Sequence, residues 1–330
     1  MSRAAGLALG YAADRLLGDP SQHHPVAGFG RLAAALERRV YAASRTRGAA
    51  YALVLVGSTT LLGVALERST RGRPLTHTLV TAAATWTVLG GRSLAREAEI
   101  LHAQLAAGDL PAARIQLTHL VGRDTSDLDA AEIARAAVES LAENTSDAVV
   151  APLVWGAVGG VPGLLGYRAA NTLDAMVGHR SDRYERFGWA SARLDDVLNL
   201  PGSRLSALLA AAFAPAAGGS PRDACAAWRR DAHRHPSPNA GPVEASFAGA
   251  LGVRLGGTNV YGDGDSRRVE HRAEMGDGPA PAPADLDRAR RLADLVGLAA
   301  AGTSVAVALL RRRRSGPARR AGRRAGRRRA

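Results

Sequence analysis

The chain has 330 residues, 46% of them hydrophobic, a formal net charge of +13 and one cysteine, Cys225. That length holds one large domain or two ordinary ones, and a lone cysteine excludes an internal disulfide and any cysteine-based zinc site. All 43 basic residues are arginine, and eleven lie in 311–330 without an acid, which leaves +2 for the rest of the chain; the basicity belongs to the tail, and no specific nucleic-acid partner is expected.

A mean hydropathy near zero hides a segregation of the apolar residues into blocks. Residues 4–13 are apolar but too few to span a bilayer, and they read as an N-terminal helix. DRLLGDPSQHHPVAGFGR follows without a convincing signal-cleavage site and reads as a loop by its Gly-Asp-Pro and His-Pro breakers. Its His23 and His24 suit metal or phosphate, but paired loop histidines are more often simply solvated. Residues 48–66 and 74–91 carry no Arg, Asp or Glu, and a turn with Arg68, Arg71 and Arg73 joins them. A transmembrane hairpin fits this pattern; two buried helices of a large soluble core are the other reading. Residues 92–135 have helical spacing with breaks at Gly108-Asp109 and around Gly122, and Asp124 or Ser126 suits the N-cap of the next helix.

Residues 148–167 are again uncharged, but GAVGGVPGLLG allows close helix packing and invites a break, so the segment is kinked or re-entrant. Residues 205–221 and 295–310 complete five uncharged segments, with a Pro/Ala-rich linker at 276–284 and Asp285 as the cap of the last helix. An apolar helix ending in arginines marks a cytoplasmic tail, and 311–330 reads as disordered. The expectation is an all-α, polytopic integral membrane protein with about five hydrophobic segments and helical polar loops, embedded as one domain over 1–310. If all five segments cross, the polar groups flanking 148–167 fall on opposite faces. Either that segment dips and returns, or the polar groups sit within the bilayer facing a cavity.

Those polar groups carry the chemistry. At helical spacing Glu139, Glu143 and Asp147 form an acidic row with Arg135 one turn earlier. Like charges so placed repel by roughly 0.2–0.5 kcal/mol per pair, which fits a bound cation or a solvated face. Asn171 and Asp174 are one turn apart and can share a face with Tyr167. Asp195, Asp196 and Asn199 form a second cluster before Pro201 and Arg204, among Arg168, Arg180, Arg183, Arg186 and Arg193. Carboxylates mixed with arginines suit Mg²⁺ and phosphates, and also ordinary surface ion pairs. GGTNVYGDG has glycines but neither the lysine nor the spacing of a phosphate loop. There are few strand signals of any kind.

The pieces DRLLGDPSQHHPVAGFGR, ESLAENTSDAVVAPL, GYRAANTLDAMVGHRSDRYERFGWASARLDDVLNLPGSRL and HPSPNAGPVEASFAGALGVRLGGTNVYG, with a weaker stretch from Val269 through GDGPAPAPADLDRARRL, occur in this order. In them the chain resembles the adenosylcobinamide-phosphate synthases of cobalamin biosynthesis, the CobD/CbiB family, from residue 9 to about 310. The resemblance implies a multi-pass enzyme of the cell membrane, with its active site on the cytoplasmic side. Such an enzyme joins the free propionate of adenosylcobyric acid to aminopropanol phosphate or ethanolamine phosphate in an ATP-dependent amide ligation, in contact with membrane lipid and with other corrinoid-pathway enzymes as partners. Within the matching motifs Glu139, Glu143 and Asp147 are assigned to Mg²⁺, with Glu143, Asp147, Asp174 and His179 as catalytic groups. Arg168, Arg180 and Arg183 are assigned to phosphate and Asn144 and Asn171 to substrate. His235 is an alternative base, and Asn239, Glu244 and Asn259 are assigned to the corrin amides or the nucleotide. Two other classes compete. One is an intramembrane Mg²⁺-dependent prenyl or alcohol-phosphate transferase, whose repeat of widely spaced aspartates is missing. The other is a transporter, whose internal repeats are missing.

Overall fold

The structure, a computed structural model, describes residues 1–19, 24–179, 181–261 and 268–314, and it is all-α apart from one small hairpin. Helices α1 (Ser2–Leu17), α2 (Pro25–Val40), α3 (Arg45–Ser69) and α4 (Pro74–Val88) open the chain. Next come α5 (Gly91–Ala106), α6 (Leu110–Leu117) and α7 (Ala130–Thr145). A π-helical turn, Ser146–Val150, leads straight into α8 (Ala151–Gly159). Helix α9 (Val161–Leu173) ends in a second π-helical turn, Asp174–Gly178. Helices α10 (Tyr184–Phe187), α11 (Trp189–Phe213), α12 (Pro221–Asp231) and α13 (Ala240–Leu251) follow. The antiparallel strands β1 (Leu255–Tyr261) and β2 (Arg268–Met275) precede the long α14 (Pro283–Arg314).

Three stretches are long and apolar enough to cross a membrane: Arg45–Ser69, Trp189–Ala217 and Pro283–Arg311. The other two expected segments differ for local reasons. Helix α4 has 15 residues and packs chiefly along α1, not against α3. Segment 148–167 is divided by Gly160, whose φ of 69° is a backbone region open to glycine and costly for other residues. There the chain turns back, because Asn171 Nδ2 donates to Asp147 Oδ2 at 3.2 Å across the α8–α9 hairpin. Gly163 lets the two legs close, since a Cβ there would run into the Trp155 carbonyl. The segment therefore dips and returns, and both flanking polar groups reach the same end of the fold.

Close packing between helices also relies on small residues. Gly6 and Gly10 of α1 meet Thr81 and Thr85 of α4, and Gly63 of α3 meets Pro162 at the start of α9. Glycine at such crossings brings backbones together and maximises dispersion contacts where lipid offers no hydrophobic driving force. Glu67 of α3 accepts from the Val161 N–H at 2.9 Å and pairs with Arg3 at 2.6 Å, satisfying an otherwise orphaned donor of α9. The main core lies among α5, α7, α13 and α14; every residue of α13 is buried.

Four local expectations change. Asp129, not Asp124 or Ser126, caps α7, in a reciprocal capping box with Glu132. Helix α14 begins at Pro283, so Asp285 lies in its first turn and accepts from the Ala282 N–H at 2.8 Å. Much of the loop expected from Asp14 to Arg31 is helical, since α1 runs to Leu17 and α2 starts at Pro25 with His24 Nδ1 as its cap; His23 lies outside the described residues. The glycine-rich stretch after α13 forms β1, with a bulge between Leu255 and Gly257 where Gly256 and Gly257 take positive φ. In the tail, 311–314 continue α14, and the expected disorder of 315–330 falls outside the described residues.

Candidate functional site

Two π-helical turns place the first group of side chains. A π-turn inserts one extra residue into the helical ladder and shifts the phase of the side chains beyond it, and such turns recur at functional sites. Asp147 lies in the first and Asp174 in the second. The α8–α9 hairpin brings them to one end of the bundle, where α11 crosses and adds Asp195 and Asn199. Asp147 Oδ1 accepts from Asn199 Nδ2 at 2.5 Å and Oδ2 from Asn171, whose Oδ1 accepts from Arg168 Nη1 at 3.3 Å. Asp195 Oδ1 and Arg168 Nε are shielded from solvent and have no hydrogen-bond partner among the described residues. Burial pushes the Asp147 carboxyl well up, and the nearby Asp195 and Glu143 charges push it further, against the Asn199 hydrogen bond. Asp174 is pushed up to about 6, by burial first and then by Asp196 and Glu143.

The second group gathers where α7 meets the β-hairpin and α13. Glu139 Oε2 accepts from Arg123 Nη2 at 2.7 Å, while its Oε1 accepts from the Gly256 N–H at 2.8 Å and from Arg135 Nη1 at 3.3 Å. Asn259 Oδ1 accepts from both guanidinium groups, while its Nδ2 is buried with no hydrogen-bond partner among the described residues. Nearby, Glu244 is 1% exposed and neither carboxylate oxygen has a hydrogen-bond partner among the described residues. Burial raises its pKa strongly, and Glu139 and Glu143 reinforce the shift against Arg272 and Arg123. His235 faces it, Nε2 to Oε1 at 3.7 Å. Glu143 joins the two groups: its pKa rises through burial, Glu139 adds to the rise, and Arg272 and Arg123 oppose it.

The arrangement revises several assignments. Glu139 is not available to Mg²⁺, because two guanidinium groups already neutralise its charge, whereas the donors to Asp147 are neutral amides. The acidic row parts accordingly, Glu139 toward the hairpin and Asp147 toward α9 and α11. No group of three His, Cys, Asp or Glu side chains poised for a metal occurs among the described residues. Arg183 belongs to α2 rather than to the carboxylates: it pairs with Glu37 at 2.9 Å and lies 4.1 Å over the Tyr41 ring. His179 is exposed and packs edge-on against Tyr184, with ring centroids 5.0 Å apart. His235 is no free base, since its Nδ1 accepts from the Ser237 N–H at 3.0 Å. That bond leaves the ring proton on Nε2, toward Glu244. Burial, the largest influence, pushes His235 down to about 4, so it is neutral near pH 7.

Asn239 staples α13 to α11 and spends both ends of its amide there. Its Oδ1 accepts from Ser203 Oγ at 2.9 Å and Arg204 Nη1 at 2.8 Å, and its Nδ2 donates to the Asp196 carbonyl at 2.8 Å. Asn144 folds back on its own helix, donating to the Ser140 carbonyl at 2.9 Å. Arg180 lies outside the described residues. Among the groups that sequence reasoning missed, Arg123 and Arg272 are the main ones. Both sit in polar stretches outside the strongest motif matches, and Arg123 meets Asn259 across 136 residues, a pairing no local spacing reveals.

The site lies beside the middle of α14, about half the helix away from the arginine tail. Near Val149 the helix passes at Gly297, whereas Arg311 lines a recess with Arg3 and Arg73. Fourteen residues separate those points, about 21 Å at 1.5 Å per residue. A cytoplasmic tail and a cytoplasmic site therefore exclude one another if α14 crosses the membrane.

A family model described as CobD/Cbib protein matches residues 7–293. The chain is 52% identical to the cobalamin biosynthesis protein CobD of Mycobacterium tuberculosis (strain ATCC 25618 / H37Rv) over 314 residues, 95% of this chain and 97% of that protein. It is 44% identical to the protein of the same name from Chromobacterium violaceum, over 94% of this chain and 98% of the relative. With the Rhodobacter capsulatus protein of that name the identity is 43%, again over 94% and 98%. No solved structure gives a significant match. With the match running through both halves of the site and the hairpin between them, the chain belongs to the CobD/CbiB family.

Proposed function

We propose that the chain is a membrane enzyme of cobalamin biosynthesis that performs an ATP-dependent amide ligation. In it the free propionate of adenosylcobyric acid is joined to aminopropanol phosphate or ethanolamine phosphate, giving adenosylcobinamide phosphate or its ethanolamine analogue. The observation that carries this reading is the meeting of Asp147, Asn171, Asp174 and Asp195 with Arg168 at one end of the α8–α9 hairpin, continued through Glu143 to Arg123 and Arg272. An amide from a carboxylate needs activation. The propionate oxygen attacks the γ-phosphoryl group of ATP and ADP leaves. The amine nitrogen then adds to the acyl carbon, inorganic phosphate departs, and one proton is lost from nitrogen.

The donor set fits Mg²⁺, which favours one or two carboxylates together with phosphate oxygens over a complete protein cage. Asp147 and Asp195, the latter with an unpartnered oxygen, would hold it in place of Glu139. When bound it would neutralise phosphate charge. Arg168, with its unpartnered Nε, clamps a phosphoryl group. Asp174, titrating near 6, is mostly ionised at neutral pH and takes the amine proton. Glu139 and Asn259 hold Arg123 and Arg135 in place, and the neutral His235 directs its N–H toward Glu244. We place the site end at the cytoplasmic face, where ATP is, which puts Arg311 at the other face.

The test is complementation of a strain blocked in cobinamide formation, supplied with cobyric acid. Restored cobinamide synthesis by the wild-type chain, and not by Asp147→Asn or Asp195→Asn made to equal level, is the expected result. Failure of the wild-type chain, despite membrane insertion, refutes the reaction. Full activity of both variants refutes the site.

A further inference from the structure

We infer that the end of the fold remote from the site binds the headgroup of an anionic phospholipid, a binding function independent of the ligation reading. A cavity of about 530 Å³ opens there between the start of α1, the α3–α4 turn and the end of α14. Arg3, Arg71, Arg73 and Arg311 line it, with Thr70 and His77 between them. The adjoining carboxylate, Glu67, is already held by Arg3 and by the α9 N-terminus. Arg71 and Arg73 are exposed and have no carboxylate partner among the described residues, so the cavity carries excess positive charge. His77 Nδ1 is shielded from solvent with no hydrogen-bond partner there, a polar atom that a ligand oxygen or hydroxyl can satisfy.

What identifies the ligand as a lipid is the surface leading away from this charge. Leu61 and Leu62 on α3, Leu75 and Leu79 on α4 and Leu310 on α14 are each at least 56% exposed. Two of these helices belong to the stretches long and apolar enough to cross a membrane. A cationic recess where such helices end, continuous with exposed leucines, matches a phosphate headgroup above its acyl chains. Arginine forks suit phosphate oxygens in particular. A phosphatidylglycerol headgroup has the required charge, and its hydroxyls suit Thr70 and His77.

Native mass spectrometry of the full-length protein in detergent tests this, with phosphatidylglycerol and phosphatidylcholine of identical acyl chains as probes. Wild type should retain phosphatidylglycerol roughly tenfold or more in preference to phosphatidylcholine, since each basic residue near a membrane surface contributes about a fivefold preference. The double variant Arg71→Gln/Arg73→Gln should lose most of that preference while keeping wild-type turnover. The charge-matched control Arg38→Gln/Arg39→Gln, on exposed positions of α2, should retain it, as should a chain ending at Arg314. Equal retention of the two lipids by wild type overturns the proposal. So does an equal loss in the control, which would make the effect one of net charge, or a loss confined to the truncated chain, which would assign it to the tail. Displacement of the lipid by millimolar inorganic phosphate would make the cavity a free-anion site and overturn the lipid assignment.

Discussion

Glu139→Gln separates a structural role from metal binding. The carboxylate is 2% exposed and accepts from Arg123, Arg135 and the Gly256 N–H. Glutamine keeps one carbonyl acceptor but supplies no charge, and its NH₂ group faces a donor it cannot satisfy. Two buried guanidinium groups then lack their counter-ion. Removing one partner of a buried ion pair costs about 3–5 kcal/mol. For a large chain that is a fall in Tm of about 6–20 °C, at 2–4 °C per kcal/mol. Because Asn259 leans on the same two arginines, β1 should loosen with it, and amide exchange in Leu255–Tyr261 should accelerate. The assay is a thermal melt in detergent, with and without excess Mg²⁺, alongside turnover. If Glu139 were instead a metal ligand, removing its charge would relieve repulsion within the acidic row. Stability would hold or rise, and excess Mg²⁺ would restore turnover. An unchanged melting temperature together with rescue by Mg²⁺ refutes the reasoning.

Asp174 gives a pH signature. With a folded pKa of about 6 against 3.8 unfolded, the folded state holds the extra proton between those values. Its contribution to stability therefore falls as pH rises from about 4 to 6 and is flat above. Asp174→Asn should be more stable than wild type above pH 6, with the difference shrinking toward pH 4, and turnover of the wild type should rise through about pH 6. A stability difference independent of pH counts against the shift. Gly163→Ala should force the α8–α9 legs apart at the Trp155 carbonyl, costing about 1–3 kcal/mol and most activity, whereas Gly57→Ala, with open space around it, should be neutral. Equal effects in the two variants would show that the hairpin is not closed there. Single cysteines placed at Gly72 and at Gly108, in a Cys225→Ser background, should label from opposite sides of sealed membranes. Labelling from one side would mean that the turn after α3 and the turn after α5 share a face.

The helical character, the long apolar stretches, the helix breaks near Gly108 and the identity of the motif residues were legible along the chain, because composition and 3.6-residue periodicity are local properties. The family was legible for the same reason: its motifs are contiguous. What the tertiary structure decided was which of those residues meet. The α8–α9 turn at Gly160 converts 148–167 from a crossing into a hairpin, and only then can Asp147 reach Asn171. The π-turns at Ser146–Val150 and Asp174–Gly178 shift the side-chain phase that uniform α-helical spacing assumes, so the acidic row does not stay a row. Glu139 was assigned to a cation although Arg135 was visible one turn earlier, because its other two donors come from outside α7: Arg123 lies beyond the α7 cap, and Gly256 arrives on a strand 117 residues away. Burial determines the rest. Whether a carboxylate is an ion pair, a proton acceptor or a metal ligand depends on which charges share its low-dielectric surroundings. Those neighbours are set by how α7, α9, α11, α13 and the β-hairpin pack, not by the spacing of acids along any one of them.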